Sequence, residues 1–394
     1  MNGNHGRFGE DLSRKGLRDL KLSVKQLEED YALFVEGPSE EGQAQLDYRV
    51  KNVIRCLLGS VDGISYFLRQ TTVDCAPTMG VTIAPEDLRS LRKVRNPRGS
   101  LQQGYKFFGQ LAGLDLAIDT TSREWQAFDE LVEVRHGFSH PTEIRGLFAL
   151  RALHLIQPTL VWFMSLMSQL FSQVGSSFGS KFVPADVRDL SIQIEEPVLR
   201  RVLFETFNTE FFDLVAQSAG RSIAYLRHCM QILNMETDSA RSDLLAIPSV
   251  WDPRRQYQAR LLAWSLSSNI EGMTNLVRSE LEKAVAREEI GLTDADRESM
   301  AAELVEDRAG ATAEVWSREV GYATVPSRKG EDWTAVSQAR GIRNRISHPK
   351  KLADLRIDQK QQVTLLRGGR WFMDEFLQAL LIHPDKWIAK LKQA

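Results

Sequence analysis

Apolar residues recur at three- and four-residue steps along most of this chain, the spacing that places one face of an α-helix against a core. The pattern is clearest in Val53–Leu68 and Leu261–Val277, and it returns in Trp125–Val134 and Trp333–Ile342. Strand signals are sparse, and Leu190–Ile194 is the strongest of them. The pattern therefore predicts an all-α protein.

The chain contains two copies of one pattern. Trp125 lies ten residues before Arg135, as Trp333 lies ten residues before Arg343, which corresponds to a shift of 208 residues. Two other blocks coincide at a shift of 209: Tyr48–Arg69 with Tyr257–Arg278, and Trp162–Met164 with Trp371–Met373. Chance rarely keeps almost one shift through three separate blocks, so we interpret the pattern as a duplicated helical domain.

The Gly/Ser-rich segment Gly175–Pro184 is the best boundary between the copies. The middle of the two copies differs, because Cys75–Gly104 carries proline and glycine while Ser279–Asp332 is charged and helix-prone. The predicted organisation has four parts: an N-terminal helical extension over residues 1–41, a first domain over 42–175, a linker with bridging helices over 176–250 and a second domain over 251–394.

Composition indicates a globular chain in a reducing compartment. It has 394 residues, 43% of them hydrophobic and 26% charged, and its net charge of −2 excludes a global basic field that attracts nucleic acid. Three widely spaced cysteines make a disulfide framework or a zinc site of ordinary spacing unexpected. The N-terminus lacks the apolar core of a signal peptide, and Leu153–Phe171 falls short of a membrane span. We expect a cytoplasmic protein that does not associate with membranes.

The helix that each copy repeats ends in Arg-x4-His-Pro, with Arg135 and His140 in the first copy and Arg343 and His348 in the second. Proline disfavours the helical conformation in the residue before it, so each helix should end at its histidine. The helix C-terminus favours a protonated imidazole and the nearby arginine opposes it, which suits proton exchange near neutral pH. The structural alternative is a helix cap, in which both side chains bind terminal carbonyl groups.

These residue types are sufficient for cleavage of RNA without metal. A neutral histidine takes the 2′-hydroxyl proton, so that this oxygen attacks the adjacent phosphorus, and a protonated histidine supplies a proton to the departing 5′ oxygen. Arginine stabilises the charge that gathers on the phosphoryl oxygens. Two copies supply two histidines and two arginines, which suggests one composite site.

The two motifs resemble those of the HEPN superfamily, in the form R-H-x-x-x-H (Arg135, His136, His140) and R-N-x-x-x-H (Arg343, Asn344, His348). The resemblance covers roughly Gly42–Gly175 and Trp251–Asp385. It implies two tandem helical bundles that form an intramolecular pseudo-dimer and cut RNA at the seam between them. Such domains occur as toxins of toxin–antitoxin pairs, in anti-phage defence and within type VI CRISPR effectors.

Asp62 and Glu271 coincide in the repeat, on a helix that is otherwise apolar. A buried acid needs a partner, so we hypothesise that each acid holds the arginine of its copy, Arg135 or Arg343. A solvated position on the outer face of the helix is the alternative. Ser139 and Ser347, next to the histidines, are expected to form local hydrogen bonds.

Several polar residues around the motifs are candidates for supporting roles. His136 and Asn344 are expected to orient the arginine or to touch the scissile phosphate. The spacing of His136 and His140 also permits a metal on one helix face, but the second copy lacks the first of these histidines and no third ligand is evident, so we expect no metal and no cofactor. The residues expected to grip the RNA backbone all surround the second motif: Arg340, Arg345, Lys350 and Lys351.

The sequence thus predicts a metal-independent endoribonuclease of a prokaryotic defence or toxin type, with RNA as its substrate. The alternative function is a non-catalytic module that binds RNA, a nucleotide or a partner protein. An antitoxin or another regulatory protein is a further expected partner. A homodimer in which two chains complete each other's sites stays open.

Overall fold

The computed structural model is all-helical. It describes residues 4–92, 97–139, 149–174, 192–195, 197–199, 201–202, 223–286, 290–320, 326–347, 349 and 352–381. No β-strand occurs among these residues, so the all-α prediction is confirmed for them. Residues 192–194 of the strand candidate have no regular structure, and residues 190–191 lie outside the described ranges.

The main helices are, in chain order, α1 (Asn4–Glu36), α2 (Glu40–Cys75), α3 (Pro85–Arg92), α4 (Pro97–Ala112), α5 (Arg123–Ser139), α6 (Leu153–Val174), α7 (Ile223–Leu245), α8 (Pro253–Ala286), α9 (Asp294–Met300), α10 (Val305–Val320), α11 (Glu331–Ser347), α12 (Gln359–Trp371) and α13 (Gln378–Leu381). Short 3₁₀ turns at Leu150–Ala152 and Leu352–Leu355 precede α6 and α12, and a π-turn at Phe372–Leu377 joins α12 to α13. None of these helices carries an apolar stretch of the length that a bilayer crossing requires.

The helices recur along the chain with the same spacing as the sequence blocks. The motif helices α5 and α11 begin 208 residues apart, and the described ranges of α4 and α10 lie at the same shift. The short helices α3 and α9 begin 209 residues apart. The middle of the two copies thus holds corresponding helices despite its different composition. Pro85 occupies the first position of α3, where a missing backbone N–H costs nothing, so this proline starts the helix rather than breaking it.

The chain divides into two compact units, which share α2 and α5 between them. The first comprises Met1–Glu36, Arg49–Arg135 and Leu150–Leu199, and the second comprises Gly37–Tyr48, His136–Ala149 and Arg200–Ala394. The four-part domain division drawn from the repeat stays a prediction.

Aromatic side chains, including the tryptophans that the repeat shares, pack against one another in each unit. In the first unit Phe128 stacks on Trp162 with ring centroids 4.5 Å apart, and Trp125 meets Trp162 edge-on at 5.5 Å. In the second unit Trp333 meets Trp371 edge-on at 5.0 Å. These arrangements are the favourable ones for aromatic pairs. Trp125, Phe128, Trp162 and Trp371 are buried, while Trp333 is partly buried against the core.

The second unit is organised around α8. Between Gln256 and Leu281 buried residues cover most of the circumference of this helix, and the half-buried ones, among them Ser267 and Glu271, recur on one face. Its neighbours are α7, α10, α11 and α12. Gly368 on α12 permits one of these close approaches, because a Cβ atom there would lie 3.0 Å from Leu266 Cδ2 on α8.

An ion pair joins the short helix α9 to α10. Thr293 caps α9 and forms a capping box with Asp296, while Arg318 donates one hydrogen bond of 2.9 Å to each carboxylate oxygen of Asp296. The hydrogen bonds from Arg318, and then those from Thr293, lower the pKa of Asp296 below its ordinary value. Folding therefore favours the ionised carboxylate.

Replacing Asp296 with Asn should lower the free energy of unfolding by about 1 kcal/mol at neutral pH, since the cap and the ion pair are both weakened. A carboxyl group with a lowered folded pKa contributes its stability above the unfolded pKa of about 3.9 and loses it as the pH falls below that value. The difference between wild type and variant should accordingly shrink in acid. Urea unfolding followed by circular dichroism, at neutral pH and again at a pH below the unfolded pKa, measures this difference in the free energy of unfolding.

Asp294→Asn is the matched control, because Asp294 belongs to the same first turn but is fully exposed and contacts Arg297 at the surface. It should change stability less than Asp296→Asn. Equal effects of the two substitutions would contradict the role assigned to Asp296.

Candidate functional site

Most of the predicted site residues belong to the part of the chain that the structure describes. The exceptions are His140, His348, Lys350 and Lys351, which lie outside the described residues.

In the first copy the predicted acid and arginine meet. Asp62 on α2 forms an ion pair with Arg135 on α5, with 3.1 Å between Asp62 Oδ2 and Arg135 Nη1. The side chain of Arg135 is 26% exposed and that of Asp62 is 46% exposed, so solvent reaches both. The pairing confirms the predicted contact, although Asp62 is not the buried acid that its apolar surroundings suggested. A pair this exposed adds little to stability, and its main physical effect is to orient the guanidinium group.

In the second copy the corresponding acid and arginine line one pocket. Glu271 on α8 and Arg343 on α11 both face a cavity of about 210 Å³, and Asn344 lines it as well. Arg343 Nη1 donates a hydrogen bond of 3.0 Å to Asn344 Oδ1. Asn344, which was expected to orient the arginine or to touch the phosphate, thus contacts the arginine directly.

His136, the residue that corresponds to Asn344 in the first copy, lies in the last turn of α5 and is exposed. The metal alternative for His136 and His140 is not decided, since His140 lies outside the described residues. Among the residues that the structure describes, no group of three or more His, Cys, Asp or Glu side chains is arranged to hold a metal ion.

Two of the residues predicted to bind RNA have partners inside the protein. Arg340 Nη1 lies 2.9 Å from Glu306 Oε2, and the side chain of Glu306 is only 6% exposed. Arg345 Nη2 donates a hydrogen bond of 3.0 Å to Gln361 Oε1, next to the cap of α12. The buried carboxylate compensates the charge of Arg340, so Arg340 offers less attraction to phosphate than its sequence position suggests.

The first copy has an ion pair at the position of Glu306, but the charges of its two partners are reversed. Arg98 holds the second position of α4, as Glu306 holds the second position of α10. Arg98 pairs with Asp129 and Glu133 on α5, the latter with 2.7 Å between Arg98 Nη2 and Glu133 Oε1. In both copies, therefore, the residue at this position ties its helix to the motif helix. Aligning the two copies of the sequence did not show that Arg98 and Glu306 play the same part, because their charges are opposite.

The end of α11 is attached to α8 by a hydrogen bond from Trp264. Trp264 Nε1 donates to Ser347 Oγ at 2.9 Å, and Ser347 directly precedes His348. The expectation that Ser347 bonds locally is wrong, because its partner lies on another helix. The signal for this contact in the sequence was weak, since the first copy has Arg55 at the position of Trp264.

Comparisons of this chain with protein-family models, with curated protein sequences and with solved structures found no match.

Exchanging the charges of Arg340 and Glu306 tests whether their ion pair stabilises the packing of α11 against α10. Arg340→Glu places two carboxylates side by side, one of them buried, and should lower the free energy of unfolding by roughly 2 kcal/mol. Combining Arg340→Glu with Glu306→Arg restores opposite charges in the order that the first copy uses. The double variant should recover most of the lost stability in urea unfolding. If it is no more stable than the single variant, the ion pair does not hold the helix.

Proposed function

We propose that this chain is a metal-independent endoribonuclease in which its two Arg-x4-His segments serve one reaction. The observation that carries the proposal is that the acid and the arginine matched by the repeat come together in each copy. They form an ion pair in the first, Asp62 with Arg135, and line one pocket in the second, Glu271 with Arg343. A partly exposed guanidinium group that an acid holds in place is suited to presenting its remaining N–H donors to a phosphate.

The proposed chemistry divides the work between the two residue types. Arg135 and Arg343 stabilise the negative charge on the phosphoryl oxygens as the 2′-oxygen attacks. His140 and His348 exchange proton-transfer roles, one removing the 2′-hydroxyl proton and the other protonating the 5′ oxygen that leaves. The products are a 2′,3′-cyclic phosphate and a 5′-hydroxyl end. This chemistry needs no metal, because the protein supplies both the proton transfers and the positive charge.

The biological setting proposed for this activity is a prokaryotic defence or toxin system. An unrestrained ribonuclease damages the RNA of its own cell, so the proposal includes an antitoxin or another regulatory protein that limits cleavage.

Replacing either His140 or His348 with Ala should lower the rate of RNA cleavage by about 10²–10⁴, the usual contribution of one positioned acid or base. Wild-type cleavage should persist in EDTA and leave 2′,3′-cyclic phosphate ends, which mass spectrometry of the products identifies. His154→Ala is the matched control, because His154 is exposed on α6 and has no counterpart in the second copy. Purified protein that binds RNA but leaves it intact would instead support the non-catalytic module.

Asp62 is a positioning residue in this proposal, so its replacement should act on kcat more than on KM. Asp62→Asn should lower kcat by about tenfold, since the neutral amide orients Arg135 less firmly. Asp62→Glu, which keeps the charge, should recover part of the loss. Glu130→Gln removes an exposed acid from α5 and should have no effect. A purely structural role for Asp62 would lower thermal stability and leave kcat of the folded enzyme unchanged.

A further inference from the structure

The pocket that holds Arg343 has features beyond those that phosphate chemistry needs. Its walls include four aliphatic side chains from three helices: Leu266 and Ile270 of α8, Val305 of α10 and Val336 of α11. The polar part of the lining consists of Ser267, Glu271, Arg343, Asn344 and the ion pair of Arg340 with Glu306. An aliphatic wall contributes nothing to binding a phosphate, but it suits the flat face of a ring.

The volume of the pocket limits the size of the ligand that it can bind. About 210 Å³ is less than the roughly 300 Å³ at which pockets for drug-sized ligands begin. The cavity therefore accepts a single planar group such as a nucleobase rather than a whole nucleotide. The sugar and phosphate of a bound nucleotide would stay outside it.

Ser267 supplies an independent sign that a polar ligand belongs here. Its Oγ atom is buried and has no hydrogen-bond partner among the described residues. A buried hydroxyl group without a partner costs free energy, so it is expected to bind something that the protein alone does not provide. The first copy has Leu58 at the corresponding position, so this feature belongs to the second copy.

The polar groups distinguish between the four bases. A carboxylate such as that of Glu271 only accepts hydrogen bonds and can accept two side by side, while Arg343 donates and Asn344 does both. Guanine presents two adjacent donors, its N1–H and N2–H₂ groups, beside the O6 acceptor. Adenine and cytosine place an acceptor next to their amino group, which a carboxylate repels, and uracil offers one donor between two acceptors. Because Arg340 and Glu306 bind each other, the hydrogen bonds to a ligand are assigned to Glu271, Arg343 and Asn344, and together these three complement guanine best.

We propose that the pocket between α8, α10 and α11 binds a guanine base of the RNA, with Glu271 accepting from N1–H and N2–H₂ and with Arg343 or Asn344 donating to O6. Arg343 belongs both to this pocket and to the second Arg-x4-His motif, so the base is bound next to the cleavage chemistry. The inference rests on the proposed function in that RNA is taken as the molecule that carries the base. It predicts that cleavage occurs beside guanosine.

Binding is measured separately from cleavage with 2′-O-methyl oligouridine probes, which lack the attacking hydroxyl group. One probe is all uridine, and three carry a single guanosine, adenosine or cytidine. Wild type should bind the guanosine probe at least about fivefold more tightly than the other three in fluorescence anisotropy, since a bidentate contact discriminates at this level. Glu271→Gln should reduce the preference to within about twofold, because an amide places a donor against the donors of guanine.

Ser267→Leu is the second variant, and it fills the pocket with the residue that the first copy carries at this position. It should also abolish the guanosine preference. Ser299→Leu adds the same side chain at an exposed position of α9 and should leave the preference intact. Equal binding of all four probes by wild type, or a guanosine preference that survives in both pocket variants, would overturn the inference.

The same four probe sequences, made as unmodified RNA, separate this inference from the proposed function. Guanosine preference in binding without any cleavage supports the pocket and rejects the nuclease. Cleavage that shows no preference for guanosine supports the nuclease and rejects the pocket.

Discussion

The burial of most of the surface of α8 is the constraint on which the second unit depends. Because only one face of this helix is half-buried rather than buried, its neighbours α7, α10, α11 and α12 must each cover part of its apolar surface. That packing brings Ser267 and Glu271 of α8 beside Arg343 of α11, around one pocket. The hydrogen bond from Trp264 to Ser347 then attaches the end of α11 to the same central helix. The position of the motif arginine is thus a consequence of core packing.

The ion pairs that involve the motif helices differ in whether the two copies carry their charges in the same order. Arg98 and Glu306 occupy one position of corresponding helices and carry opposite charges, yet each forms an ion pair with its motif helix. Coulomb attraction depends on the product of the two charges, so either order serves. The acid and arginine of the candidate site, by contrast, keep both their sign and their order in the two copies. Under the proposed function that order has a chemical reason, because only an arginine presents forked donors to a phosphate.

Part of the candidate site was predictable because an acid and an arginine recur at corresponding positions of the two copies. The contact of Asp62 with Arg135 followed from an acid that recurs on an apolar helix and needs a partner. Arg340 was assigned to RNA from its place beside the motif, whereas the structure pairs it with the buried Glu306. Neither residue of that pair has a counterpart of the same type in the first copy, so the repeat carried no signal for it.

The sequence by itself determined the helical class, the twin motif helices and the aromatic core, because hydrophobic periodicity and proline position act within a few residues along the chain. The tertiary structure alone decided the pocket, the partner of Arg340 and the bond between Trp264 and Ser347. Each of these joins side chains from different helices, and their meeting depends on which faces pack together and at what depth. A hydrogen bond or an ion pair forms only within a few ångströms, a condition that spacing along one chain cannot express.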